Sequence, residues 1–238
     1  MELGNLIGPA GVAAGVSGLI AVIGLLVNRS TTIRLHTDKL GADQRLAERK
    51  IDADIALAKR KFDYDRHQAI FKRRFELAEV LLAEAYRYRS LMKFVRNGAS
   101  FGAEGETRPA ADHESENVKR QRNNYYVPQE RIHAHDEFLS AMFARRTTAQ
   151  ALFGEDADKA FDLFNRSIHR VRVASGLLVD WTKDHEEVDR DLMKKLRDDI
   201  WEPMAEHNKT NEIGAMIDEG VELLENLCKP VLAWVDTP

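Results

Sequence analysis

The chain has 238 residues, of which 44% are hydrophobic and 31% charged, and a formal net charge of −4. A single cysteine, Cys228, excludes an internal disulfide and agrees with a reducing compartment. The small net charge hides an asymmetry: residues 29–74 hold 13 Lys and Arg against 7 Asp and Glu, a surplus of six, and the rest of the chain is acidic by ten.

Leu6 to Val27 is an uncharged apolar run, followed at once by Arg29, Arg34 and Lys39. At about 1.5 Å of rise per residue it covers the ~30 Å hydrocarbon core of a bilayer, which predicts a transmembrane helix over residues 1–28. A cleaved signal peptide would need a basic start and a small-x-small site after a shorter apolar core. Here Glu2 precedes the run and Asn28-Arg29-Ser30 follows it. The positive-inside bias then gives a single-pass protein, expected in a bacterial inner membrane, with its N-terminus outside and its C-terminal domain in the cytoplasm. The Asn-x-Ser/Thr triplets at Asn28, Asn165 and Asn208 carry no meaning on that side.

Within the span Gly4, Gly8, Gly11, Gly15 and Gly18 alternate four- and three-residue steps and share one helix face. Association in lipid depends on close backbone approach, so this face predicts a homo-oligomer; a ring of such helices enclosing a pore is the alternative. Membrane lipids are the other expected partner, because the membrane-proximal basic residues Arg29, Arg34 and Lys39 lie where anionic headgroups attract them. Seven interspersed carboxylates argue against nucleic acid on residues 29–74.

Between Ser30 and Asn97 there is no proline and one glycine, Gly41, with Ala, Glu, Lys, Arg and Leu dominating. Residues 29–70 are expected to form a basic helical stalk, with a narrow seam of coiled-coil spacing at Ile51, Ile55, Ala58 and Phe62. From Phe71 the apolar residues become dense, and 71–238 is expected to be an acidic helical bundle interrupted by an irregular loop at 97–128. In that loop Lys119, Arg120 and Arg122 run into Tyr125 and Tyr126, a basic and aromatic cluster able to hold a phosphate backbone and stack on bases.

Four further helices are expected at about 128–152, 156–184, 186–208 and 210–236. Their stripes run through Phe161, Phe164, Ile168, Val171 and Leu178, through Leu192, Leu196 and Ile200, and through Ile213, Ile217, Val221, Leu224 and Cys228. Pro203 and Pro230 should kink or end their helices. No strand-like alternation appears, which removes sheet-based nucleotide sites. The expected fold class is all-α: one transmembrane helix, a long charged stalk and a four- to five-helix bundle.

Catalytic signatures are scarce. A di-metal bundle needs two Glu-x-x-His pairs, and only Glu130 to His133 is present, so no metal or other cofactor is expected. Walker loops, nucleophile elbows and zinc-protease pairs are absent. The Arg-to-His spacing of HEPN ribonucleases occurs at Arg29 with His36, Arg60 with His67 and Arg108 with His113, the first two on the stalk and the third in the loop. In plan, an N-terminal span ahead of a helical domain, the chain resembles the small membrane-anchored accessory proteins of type VI CRISPR systems. That resemblance is one of architecture; it implies a HEPN-like helical domain and assembly into a pore, and transfers no residue roles. The leading expectation is a non-enzymatic scaffold that self-associates and presents its bundle to a protein partner. An oligomeric pore or defence effector, and a membrane-tethered ribonuclease or nucleic-acid-binding module, are the alternatives.

Overall fold

The computed structural model describes residues 9–100, 102–109, 114–182, 189–202 and 211–233, with side chains from residue 13 onward. Among the described residues the protein is all-α, with seven helices and no strand. They are α1 (Pro9–Val95), α2 (Glu116–His133), α3 (Asp136–Ala144), α4 (Arg146–Phe153), α5 (Glu155–Trp181), α6 (Arg190–Ile200) and α7 (Glu212–Leu232). The chain divides into two compact units, one up to Gln68 and one from Ala69.

The described part of the first unit is helix throughout. Every residue from 13 to 68 is exposed except Gly41, which is half-buried. Thr31, Thr32 and Thr37 return their hydroxyls to carbonyls four residues back, at 2.8 to 2.9 Å, so these polar groups are satisfied within the helix. Helix α1 is long and apolar enough near the N-terminus to cross a membrane, by length and composition, and none of that apolar window is buried within the chain.

The second unit is a bundle with α5 at its centre, packed on α7, α2, α6 and α4. Its larger core joins Leu81, Ala85, Tyr88 and Met92 of α1 to Phe161, Phe164, Ile168 and Val171 of α5 and to Ile213, Ile217, Val221 and Leu224 of α7. Tyr88 is fully buried; its hydroxyl donates to the Phe164 carbonyl at 2.7 Å and lies 2.8 Å from Ser167 Oγ. Burial holds the phenol above its ordinary range. Helix α7 reaches α5 closely because Gly220 has no side chain: a Cβ there would lie 2.6 Å from the Phe164 ring. A smaller core gathers Tyr125, Ala174, Leu178, Met193, Leu196 and Ile200 between α2, α5 and α6.

Three boundaries differ from the sequence expectation. The irregular loop expected at 97–128 is shorter, because α2 starts at Glu116, capped by Ser115 Oγ accepting from Val118 N at 3.4 Å, and runs on through Pro128. The helix expected over 128–152 is three pieces, the end of α2, then α3 and α4, with breaks at Ala134–His135 and Arg145. The helix expected over 186–208 is α6, which runs only from Arg190 to Ile200 with Trp201 extended at its end; its buried stripe begins at Met193, and Leu192 is 39% exposed. Pro230 lies inside α7, which ends two residues later at Leu232; Pro203 lies outside the described residues.

Candidate functional site

Two kinds of surface carry functional potential, and each belongs to one unit. The first is the exposed length of α1. Of the glycines expected to make a self-association face, Gly4 and Gly8 lie outside the described residues and Gly11 is described by backbone alone. At Gly15 and Gly18 a Cβ would meet nothing within 4 Å beyond the backbone of its own helix. Around them Leu19, Ile20, Leu25 and Leu26 are all at least 60% exposed. Arg29, Arg34 and Lys39 follow on the same helix, all exposed. The seam residues Ile51, Ile55 and Phe62 are exposed as well. Among the described residues of its own unit, nothing covers this apolar surface.

The second is the bundle. The basic and aromatic cluster is on α2, and the structure divides it. Lys119 and Arg120 are exposed and Tyr126 is half-buried. Arg122 and Tyr125 face inward. Arg122 and Arg108 both bind the carboxylate of Glu114, whose side chain is 2% exposed. Tyr125 accepts from Arg197 Nε at 3.1 Å and Gln121 Nε2 at 3.3 Å through its hydroxyl, and its carbonyl accepts from Ser175 Oγ at 2.6 Å. Two of the five residues are thus committed to the interior. The signal for this is a three-residue spacing, Arg122, Tyr125, Pro128 and Arg131, which defines the buried face of α2; counting apolar residues alone misses it because two members are arginines.

Arg131 is the more informative of the two arginines. It is 3% exposed, and it donates to the carbonyls of Phe94, Asn97 and Ala99 at 2.9, 2.8 and 2.7 Å and to both oxygens of Glu104 at 3.0 and 2.6 Å. Phe94 is in the last turn of α1 and Asn97 and Ala99 follow it, and a planar guanidinium fork reaches all three carbonyls at once. Beside it the Gly105 amide donates to the Glu130 carboxylate, and Gly105 has a φ of 86° with no room for a Cβ, which would fall 2.1 Å from the Asn123 carbonyl oxygen. Arg96, one residue past the end of α1, makes a second tie there, donating to the carbonyls of Asp198 and Asp199 and to Asn211 Oδ1, the oxygen that also caps α7 by accepting from Gly214 N. Buried arginines in this domain are structural ties.

A surface groove of about 760 Å³ lies between α2, α3 and α5, lined by Gln129, His133, Asp136, Ser140, Asn165 and His169. Asp136 takes His133 Nδ1 at 2.9 Å on one oxygen and Arg172 Nη2 at 3.0 Å on the other. That fixes the imidazole and balances the carboxylate. Among the described residues no Ser, Thr or Cys is hydrogen-bonded to His133 or His169. Glu130 accepts from the Gly105 amide, and among the described residues no group of three His, Cys, Asp or Glu is placed to hold a metal. Of the Arg-to-His pairs, Arg108 is locked by Glu114, Asn123 and the Pro109 carbonyl, and His113 lies outside the described residues. The other two pairs stand on exposed α1.

No protein-family model matches the chain, and no curated protein or solved structure is significantly similar to it.

Proposed function

We propose that the chain is a single-pass protein of a bacterial inner membrane, N-terminus outside and residues 29–238 in the cytoplasm, that self-associates through the small-residue face of α1 and holds its helical bundle for a protein partner. The observation that carries this reading is the complete exposure of α1 from residue 13 to 40, bulky apolar side chains and open glycines alike. Bulky Leu19, Ile23 and Val27 suit lipid tails, and a face of Gly15 and Gly18 suits a neighbouring backbone. Arg29, Arg34 and Lys39 hold the cytoplasmic edge, where each close basic side chain gains about 1 kcal/mol from anionic headgroups. The burial of Arg122 and Tyr125 leaves Lys119, Arg120 and half-buried Tyr126 as the remainder of the basic and aromatic cluster, which favours the protein-partner reading over nucleic acid.

The test has two arms. Leu19→Lys with Ile23→Lys places two charges near the middle of the apolar run, at about 2.5–3.5 kcal/mol each, and should release the chain from membranes washed with alkaline carbonate. A Cβ at Gly15 or Gly18 stands in open space, so a fall in the detergent-corrected mass of Gly15→Leu with Gly18→Leu reports on contacts between copies. A wild-type chain that washes off, or an oligomer unchanged by the leucines, overturns the corresponding half of the proposal.

A further inference from the structure

The exposed helix that follows the apolar run carries an internal repeat of eleven residues. Residues 40–50 (LGADQRLAERK) and 51–61 (IDADIALAKRK) are identical at six of eleven positions, and 62–72 (FDYDRHQAIFK) is identical to 51–61 at four, three of them among those six. Aligned this way Leu40, Ile51 and Phe62 form one column, Ala47, Ala58 and Ala69 a second, Asp43, Asp54 and Asp65 a third, and Lys50, Lys61 and Lys72 a fourth. The first is the apolar one, and its three members are 56, 57 and 66% exposed.

Eleven residues in three turns is about 3.67 per turn, so a seam of this period drifts slowly round a straight helix and is kept in contact by a right-handed supercoil; a seven-residue seam winds the other way. We infer that residues 40–68 are the core of a right-handed, parallel coiled coil between copies of this same chain, with Leu40, Ile51 and Phe62 at its centre and Ala47, Ile55 and Ala58 beside them.

The sequence of the helix argues for that occupant over any other. A covering helix has to follow the same three-turn drift, and this chain supplies that pattern. The flanks match as well. Across a parallel, in-register contact, Lys50 and Lys61 on one flank stand level with Asp52 and Asp63 on the other, and Asp54 meets Lys59 one turn on; Asp43 with Glu48 is the like-charged exception. Leu35, Leu46 and Leu57, again eleven apart and all exposed, run about 130° round the helix from the first seam and give a third helix something to cover, so the assembly exceeds a dimer. Gly15 and Ile51 are 36 residues apart on one unbroken helix, ten turns at 3.6, which puts the glycine face and the seam on the same side of α1.

This inference rests on the proposed self-association and adds its cytoplasmic half. It is tested with single cysteines in the full-length Cys228→Ser chain in detergent micelles, oxidised and run without reductant, alongside the detergent-corrected mass. Leu40→Cys, Ile51→Cys, Ala58→Cys and Phe62→Cys should cross-link several-fold more than Ala56→Cys and His67→Cys on the outer face, and the mass should be that of three or more copies. Leu40→Cys against Glu48→Cys separates the two windings, because a seven-residue frame through Ile51 and Ile55 takes in position 48 and leaves out position 40. An oligomer that cross-links at Glu48→Cys, or nowhere in 40–68, overturns the eleven-residue coiled coil and leaves association through the apolar run standing. A monomeric mass overturns both.

Discussion

Arg131→Met removes the tie that closes the end of α1 onto α2. Methionine keeps the aliphatic volume and loses all five donated hydrogen bonds, three to the carbonyls of Phe94, Asn97 and Ala99 and two to Glu104. It also removes the cation from its position 4.7 Å over the Phe94 ring. Hydrogen bonds to a charged group contribute about 1.5–3 kcal/mol each but are not additive, and breaking a buried ion pair from one side costs about 3–5 kcal/mol. The site is nearly closed to solvent on the arginine side, with Glu104 24% exposed, so a loss of roughly 4 kcal/mol is expected. For a domain of this size that lowers Tm by roughly 10 °C. Arg131→Lys should recover less than half, since an ammonium cannot present a planar fork to carbonyls on several sides. Urea unfolding followed by fluorescence of Trp181 and Trp201 reads the bundle directly, and amide exchange over 97–109 reads the loop. A loss below about 1 kcal/mol, or full rescue by lysine, would refute the assignment of Arg131 as the tie.

Four further outcomes follow from named contacts. Gly220→Ala drives a methyl into the Phe164 ring, which is itself buried against Tyr88 with centroids 4.8 Å apart, and should destabilise the bundle by about 1–3 kcal/mol in the same urea assay. Gly105→Ala combines a φ of 86° with a collision against the Asn123 backbone, so the amides of 102–109 should lose exchange protection. Burial pushes the Cys228 thiol up to about 11, so a thiol reagent at pH 8 should label it only as fast as the bundle opens; because the folded pKa is raised, the associated stability is full below the ordinary thiol range and falls as pH climbs towards 11. Lys229 and the Tyr86 hydroxyl hold the Glu225 carboxyl below its ordinary value. Its contribution is therefore present above the ordinary carboxylate pKa and lost as pH falls through the lowered one, and Glu225→Gln should flatten that acid limb of the stability curve.

What sequence reasoning could reach depended on which residue types made each face. The stripes of α5 and α7 are apolar at every third or fourth position and are buried as read, Phe161 through Leu178 and Ile213 through Cys228. Helix α2 escaped because Arg122 and Arg131 occupy its inner face, and arginine at such a position reads as surface until its carbonyl and carboxylate partners are placed beside it. Glu104 and the carbonyls of Phe94, Asn97 and Ala99 are 27 or more residues away from Arg131, and Glu114, eight residues before Arg122, lies ahead of the helix and off its periodicity, so no helical pattern announces them. The irregular stretch looked longer than it is for the same reason: Asn123, Asn124 and Pro128 are poor helix formers, and tertiary contacts through Arg122, Tyr125 and Arg131 outweigh them. The eleven-residue repeat was present in the letters throughout, but a period near 3.67 gains meaning only on a helix that is unbroken and exposed along its whole length.

Self-association is tested most directly by the mass of the full-length wild-type chain in detergent, with the bound detergent subtracted. A self-associating chain gives a stable multiple of 27.0 kDa, three copies or more, that persists on dilution. A mass of one copy at every concentration would contradict it and leave α1 as an anchor alone.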